Sequence, residues 1–284
     1  MNHTIFNNRK ALLVTMHGKE VVLGNYLKET FNITLDVTRN INTDQFGSFS
    51  GEIERKVIPQ YAAKQKISAA LKNYEHEIII ASEGSFFQHP ANPFIQVNNE
   101  FILLMDRKNE IAIEAQWTSS NVKYFKKSFS NDVQAYDFCI KNGFPNYGVL
   151  LKANTLAINP LIIKDSNTES DLKKAICILI NESISGEIEV ESDMRAHRNP
   201  TRMKNISIAA QQLVNNMQRQ CPECLALGYS IKSSIPGLEC AHCTFPSNET
   251  KGYLYHCKSC AHQEIKPIQT EQKADPTYCP KCNP

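Results

Sequence analysis

Eight of the ten cysteines fall in four Cys-x-x-Cys pairs: Cys221-Pro-Glu-Cys224, Cys240-Ala-His-Cys243, Cys257-Lys-Ser-Cys260 and Cys279-Pro-Lys-Cys282. A tight turn brings two sulfurs to one ion, and a second such turn completes the tetrahedron that zinc takes from thiolates. The gap of 15 residues between the first two pairs, and of 18 between the last two, matches a zinc ribbon. Two structural zinc ions are expected. Sequential pairing of the knuckles is preferred, with a crossed arrangement, first knuckle with third, as the alternative. A disulfide-rich tail would suit a secreted chain, and four regular pairs fit metal better than redox-active thiols. Cys139 and Cys177 stand alone in helix-like segments and read as small buried hydrophobes.

Other residues upstream have the chemistry of an anion or cation site. Thr15-Met-His17-Gly-Lys19-Glu follows an apolar run and precedes a helix, so a lysine and a helix N-terminus face the same turn. An ordinary βα loop with a surface lysine is the plainer reading of that segment alone. Asp44 and Glu52 lie in a loop rich in Gly and hydroxyl side chains. Glu83, followed by Gly84, comes at the end of Ile78-Ile-Ile-Ala81, where a carboxylate suits a divalent cation. Asp193-Met-Arg195-Ala-His197-Arg198-Asn-Pro-Thr-Arg202 places three arginines and a histidine within eight residues. Their planar guanidinium forks suit phosphate or carboxylate oxygens. The competing reading is a loop held by salt bridges to Asp193 and Glu191.

The elements that must position these groups follow from hydrophobic period. Strands are expected at 10–15, 33–38, 76–81, 101–105, 111–115, 148–151 and 186–191. Helices are expected after Glu20 to about Thr30, over 59–74, 170–183 and 203–220. The helix at 59–74 should turn Ala62, Ala63, Ile67, Ala70 and Leu71 inward, with Lys64, Lys66 and Lys72 outward. Strands and helices alternate early and a hairpin follows. The expected class is α/β: a mixed-sheet N-terminal domain over 1–218, then a small double zinc ribbon over 219–284.

The run Thr-Met-His-Gly-Lys-Glu, Thr-Asp-Gln-Phe-Gly-Ser-Phe-Ser-Gly-Glu-Ile, Ala-Ser-Glu-Gly-Ser-Phe, Asp-Met-Arg-Ala-His-Arg-Asn-Pro-Thr-Arg-Met and the cysteine pairs resembles an uncharacterised bacterial family. Its members end in a double zinc ribbon. More remotely the layout is similar to the inosine-triphosphate pyrophosphatase and Maf-like superfamily. That resemblance implies a metal-dependent hydrolase acting on nucleotides or a related phosphorylated small molecule. Lys19, Glu52 and Glu83 would be catalytic, with magnesium on the two glutamates and a metal-activated water attacking phosphorus. Thr15, His17, Asp44, Lys66, Arg195, His197, Arg198 and Arg202 would bind substrate. The chain departs from the superfamily in carrying Met16-His17-Gly18 in its first loop and a single Glu83 in place of paired aspartates. Nothing in it matches the superfamily's base-recognition segment. The alternative is a catalytically inactive nucleotide-binding or protein-interaction module that docks a protein partner through its ribbons.

Size and charge bound these readings. The chain has 284 residues, 42% of them hydrophobic, and a formal charge of +2, enough for a sizeable core. Eight zinc-bound thiolates and two ions would take the holo chain to about −2. From Cys221 onward there are six lysines, six acidic residues and no arginine, so no basic face for nucleic acid is expected. No apolar run is long enough for a membrane span, and the N-terminal one is too short for a secretory signal. A cytoplasmic location is expected.

Overall fold

Lys10–Val14 is apolar at four successive positions, a pattern that is stable as a strand when both faces are covered. The computed structural model, which describes residues 5–41, 43, 58–89 and 92–284, buries this strand, β1, between two cores. Ala11 and Leu13 face one core, Leu12 and Val14 the other. Helix α1 (Glu20–Phe31) follows and stops at Asn32, whose φ of 54° closes it in the left-handed conformation. Its Leu23, Leu27 and Phe31, each four residues on, pack against the Ala11/Leu13 face. Strand β2 (Thr34–Val37) then lies parallel to β1. Helix α2 (Pro59–Ala70) opens with proline in its first turn. Its Ala63, Ile67 and Ala70 cover the opposite face, with Leu12 and Val14. Strand β3 (Ile78–His89) pairs parallel with β1 on the side away from β2. Strands β4 (Asn92–Asp106) and β5 (Ile111–Ser119) add on antiparallel, giving the order β2-β1-β3-β4-β5. This is the mixed sheet of an α/β fold.

The two neighbours of β1 are reached through helices on opposite faces. The C-terminal end of β1 is therefore a switch point, the crevice where ligands gather in open α/β sheets. The expected strand end at Ala81 is not where β3 stops. A strand ending at Ala81 would leave Glu83 at its C-terminal tip. Strand β3 instead runs to His89, because β4 goes on pairing with it residue for residue through Gln88. Glu83 thus lies inside a strand and is subject to its alternation.

The strands expected at 148–151 and 186–191 form a second sheet rather than extending the first. Its members are β6 (Lys126–Phe129), β7 (Val149–Ala153), β8 (Leu161–Ile163) and β9 (Ile188–Ser192), all antiparallel, in the order β6-β9-β7-β8. Helices α3 (Asp132–Lys141) and α4 (Glu169–Glu182) cover one face around Phe129, Val149, Leu151, Leu172, Ile176 and Val190. Thr168 and Asp171 close a reciprocal capping box at the start of α4. Cys139 is in this core, as expected, but Cys177 is exposed on the outer side of α4. The segment 193–199 leads back to helix α5 (Pro200–Gln218), capped by the Asn199 side chain. Its Ile206, Ala209, Ala210, Leu213 and Met217 close the α1 side of the first sheet.

The chain ends in a three-stranded antiparallel sheet, β10 (Ser230–Pro236), β11 (Thr250–His256) and β12 (Gln263–Pro267). Among the described residues no helix is long and apolar enough to cross a membrane.

Candidate active site and two metal centres

The cysteines gather into two clusters: Cys221, Cys224, Cys257 and Cys260, and Cys240, Cys243, Cys279 and Cys282. The first knuckle joins the third and the second joins the fourth. Sequential pairing, the preferred expectation, is thus corrected to the crossed arrangement. The reason is strand length. Knuckles one and two are joined by a single strand, β10, not by a hairpin. Seven extended residues span roughly 23 Å, so consecutive knuckles end at opposite ends of the small sheet. Each of the three strands carries the chain from one cluster to the other.

The sulfur geometry fits a tetrahedral ion. Four sulfurs about 2.3 Å from zinc would stand about 3.8 Å apart. The observed separations include 3.7 Å for Cys221–Cys260, 3.6 Å for Cys224–Cys257, 3.9 Å for Cys240–Cys282 and 3.6 Å for Cys243–Cys279. All eight cysteines are free of disulfides. The two clusters could hold two metal ions, and the donor set is consistent with zinc.

Three knuckles share a turn in which the residue four after the first cysteine has positive φ: Leu225 at 60°, Thr244 at 61° and Ala261 at 62°. Each of these donates its N–H to the carbonyl of that cysteine, at 3.0, 3.0 and 2.9 Å. A side chain in this conformation costs about 1–2 kcal/mol, partly offset in glycine by greater unfolded-chain entropy. Ala261→Gly is therefore expected to stabilise the tail by about 1 kcal/mol. Slower metal loss to a chelator would register it, and faster loss would contradict it.

The second candidate site lies at the end of β1. Thr15 is buried, and its Oγ1 accepts from the His17 backbone N–H at 3.3 Å. Lys19 is 4% exposed and donates to the Ser82 carbonyl at 2.9 Å and to Ser82 Oγ at 3.2 Å. Burial pulls its amine far below the usual lysine range, to about 7. Arg202 and Lys66 push the same way, against Glu100 and Glu83. Along β3, Ala81 and Glu83 face α2 while Ser82 and Gly84 face α5. Lys66 is not on the solvated side of α2 as expected. It points inward and meets Glu83 at 2.5 Å, both side chains under 10% exposed.

Across the sheet, Arg202 of α5 reaches Glu100 of β4 at 2.7 Å through Nε, and also donates to the Met194 carbonyl. Glu100 is fully buried. The strand expected over 101–105 does not include it. With the strand begun earlier, period two puts Glu100 on the buried face of Ile102 and Leu104. Gly84 sits directly opposite Glu100. A β-carbon there would lie 2.6 Å from Glu100 Oε1 and against the Arg202 guanidinium, so only glycine fits.

The rings of His17 and His197 stack at 5.3 Å, which joins the first loop to the late basic segment. Burial, then His17 and Arg195, lower the His197 pKa below the ordinary value. The rest of that segment is committed internally. Arg195 binds fully buried Asp193 at 2.6 Å and Asp165 at 2.6 Å. Arg198 donates to Asn167 Oδ1 at 2.6 Å and to the Ser166 carbonyl. Its backbone carbonyl accepts from Gly148 N–H at 2.8 Å. Glu191 pairs with Lys152 instead, at 2.5 Å. Thus Lys19, Lys66, Glu83, Arg202, His17 and His197 come together around the switch point. Arg195 and Arg198 tie the second sheet to α5. Asp44 and Glu52 lie outside the described residues.

No curated protein matches the chain. One family model matches residues 66–284, beginning inside α2 and taking in Glu83, Glu100, Arg202 and both cysteine clusters. A match over that share of the sequence places the chain in the DUF6671 family, a domain of unknown function.

Proposed function

We propose that this protein binds a phosphorylated small molecule, a nucleotide in the first instance, at the end of β1 and hydrolyses it with magnesium, while two zinc ions hold its C-terminal tail. The observation that carries the reading is the convergence of Lys19, Lys66 and Arg202 with two carboxylates at the switch point. Cations preset in a low-dielectric crevice stabilise the charge that develops on a transferring phosphoryl group. Glu83 and Glu100 neutralise Lys66 and Arg202. Magnesium, when bound with the nucleotide, would supply Lewis-acid neutralisation of phosphate charge beside Lys19, Lys66 and Arg202. The remote similarity to the inosine-triphosphate pyrophosphatase superfamily supports the same chemistry.

The test is a screen of nucleoside triphosphates for magnesium-dependent pyrophosphate release. Wild-type protein is expected to turn over at least one, and Lys66→Ala to lose most of that activity. Absence of turnover, and of calorimetric nucleotide binding, would overturn the proposal. A second reading, a docking module, is favoured by β12, whose five residues are all exposed at a sheet edge and could accept an added strand. Nucleotide binding without turnover, together with a partner captured only by zinc-loaded protein, would favour it.

A further inference from the structure

The first residue of β3 beyond its pairing with β1 is Ser82. Val14 of β1 pairs with Ala81, and none of the described strands continues along that edge. Lys19 takes up the position instead. Its Nζ binds the Ser82 carbonyl at 2.9 Å, which fixes the amine, and stands 3.2 Å from Ser82 Oγ. Glu83 points to the other face and is held by Lys66, so it does not compete for this hydroxyl. We propose that Ser82 is a nucleophile and that Lys19 accepts its proton, so that hydrolysis proceeds through a covalent seryl intermediate.

A serine hydroxyl is a weak nucleophile until a base within hydrogen-bond reach takes its proton. A lysine serves as that base only when it is uncharged at working pH. The surroundings of Lys19 supply this: the amine is buried and has Arg202 and Lys66 near it, which together hold its pKa at about 7. The geometry matches the serine–lysine variant of the nucleophile–base pair. The choice of electrophile rests on the proposed function. Ser82 Oγ would bond to the α-phosphorus of a nucleoside triphosphate as its proton passes to Lys19 Nζ. The bond to the bridging oxygen breaks, and pyrophosphate leaves with the electron pair. Water then attacks the phosphorus and the Ser82–phosphorus bond breaks. Ser82 regains its proton from Lys19, one proton of the water stays on the phosphate of the departing nucleoside monophosphate, and the other goes to solvent.

Two probes on the full-length, zinc-loaded chain separate this pair from the nucleotide reading. In the first, ATP and GTP radiolabelled on the α-phosphate are mixed with protein and magnesium, and the reaction is quenched in acid. One nucleotidyl group is expected on the Ser82 peptide by mass spectrometry, and none on Ser82→Ala. In the second, a fluorophosphonate, which needs no nucleotide site, is expected to label Ser82. Lys19→Met should reduce both signals by about 100-fold or more, the usual scale for a lost general base. Lys19→Arg keeps a cationic donor to the Ser82 carbonyl but cannot accept a proton. It should keep fold and metal content and still lose labelling, whereas restored labelling would mean that Lys19 only braces the strand and would overturn the proposal. Fluorophosphonate labelling lost with Lys19, but no nucleotide turnover, would uphold the pair and reject the nucleotide reading. Turnover unchanged in Ser82→Ala would do the reverse. Labelling by neither probe would reject the pair.

Discussion

Replacing Cys221, Cys224, Cys257 and Cys260 together by serine is expected to leave one metal ion per chain. Replacing Cys221, Cys224, Cys240 and Cys243 is expected to leave none. The first set removes one complete cluster, while the second takes half of each. Sequential pairing predicts the opposite outcome, so elemental analysis of the two quadruple variants decides between the arrangements. The effect should be large, because a structural zinc site contributes on the order of 10–16 kcal/mol at neutral pH. The three-stranded sheet has little else to hold it: all five residues of β12 are exposed, and the large buried side chain beside it, Tyr229, packs on Cys221 and Cys257. A chelator should therefore unfold residues 221–284 and leave the two larger sheets folded, which amide exchange can follow. The clusters should differ in lability. The Cys221 cluster lies beside the first sheet, where Lys258 meets Glu114 at 2.5 Å and Gly228 packs against Ile113. The other cluster closes on Cys279 and Cys282 at the far end of the small sheet.

Arg202→Met is expected to destabilise the first sheet by about 3–5 kcal/mol, because it leaves the buried Glu100 carboxylate, which also accepts from the Asn98 amide, without its cationic partner. Arg202→Met/Glu100→Leu should recover most of that loss, since the desolvation cost of both charges disappears with them. Urea unfolding of the two single variants and the double variant gives the coupling directly. If the double variant is as unstable as Arg202→Met alone, the carboxylate is not the cause. Gly84→Ala should resemble the single variants, as its β-carbon would intrude on the same pair. Such a pair is weak evidence for stability in itself, since well-packed apolar residues often do as well. The pair lies at the switch point, on the same face of the sheet as Lys19 and Ser82.

The eight cysteines that could hold metal were legible in the chain alone. Four knuckles of two cysteines with two residues between them determine local turns that bring sulfurs together, and no other part of the fold is needed to form them. The early β1-α1-β2 order was equally legible, because an apolar run followed by a stripe of Leu23, Leu27 and Phe31 has one stable burial. Which knuckles share an ion was decided by tertiary structure. A gap of 15 residues permits either a hairpin or a single strand with its turns, and pairing with β11 selects the strand. The same holds for the charged residues. Sequence marked Lys19, Lys66, Glu83 and Arg202 as chemically capable, but ion pairs form between elements distant in the chain, and 102 residues separate Arg202 from Glu100. The length of β3 depended on how far β4 continued beside it, a cross-strand property that no local period encodes. Arg195 and Arg198 show the limit most plainly. A cluster of guanidinium groups in sequence is equally able to hold a phosphate or to tie two sheets together, and the positions of Asp193, Asp165, Asn167 and Ser166 in space determine that these two make the tie.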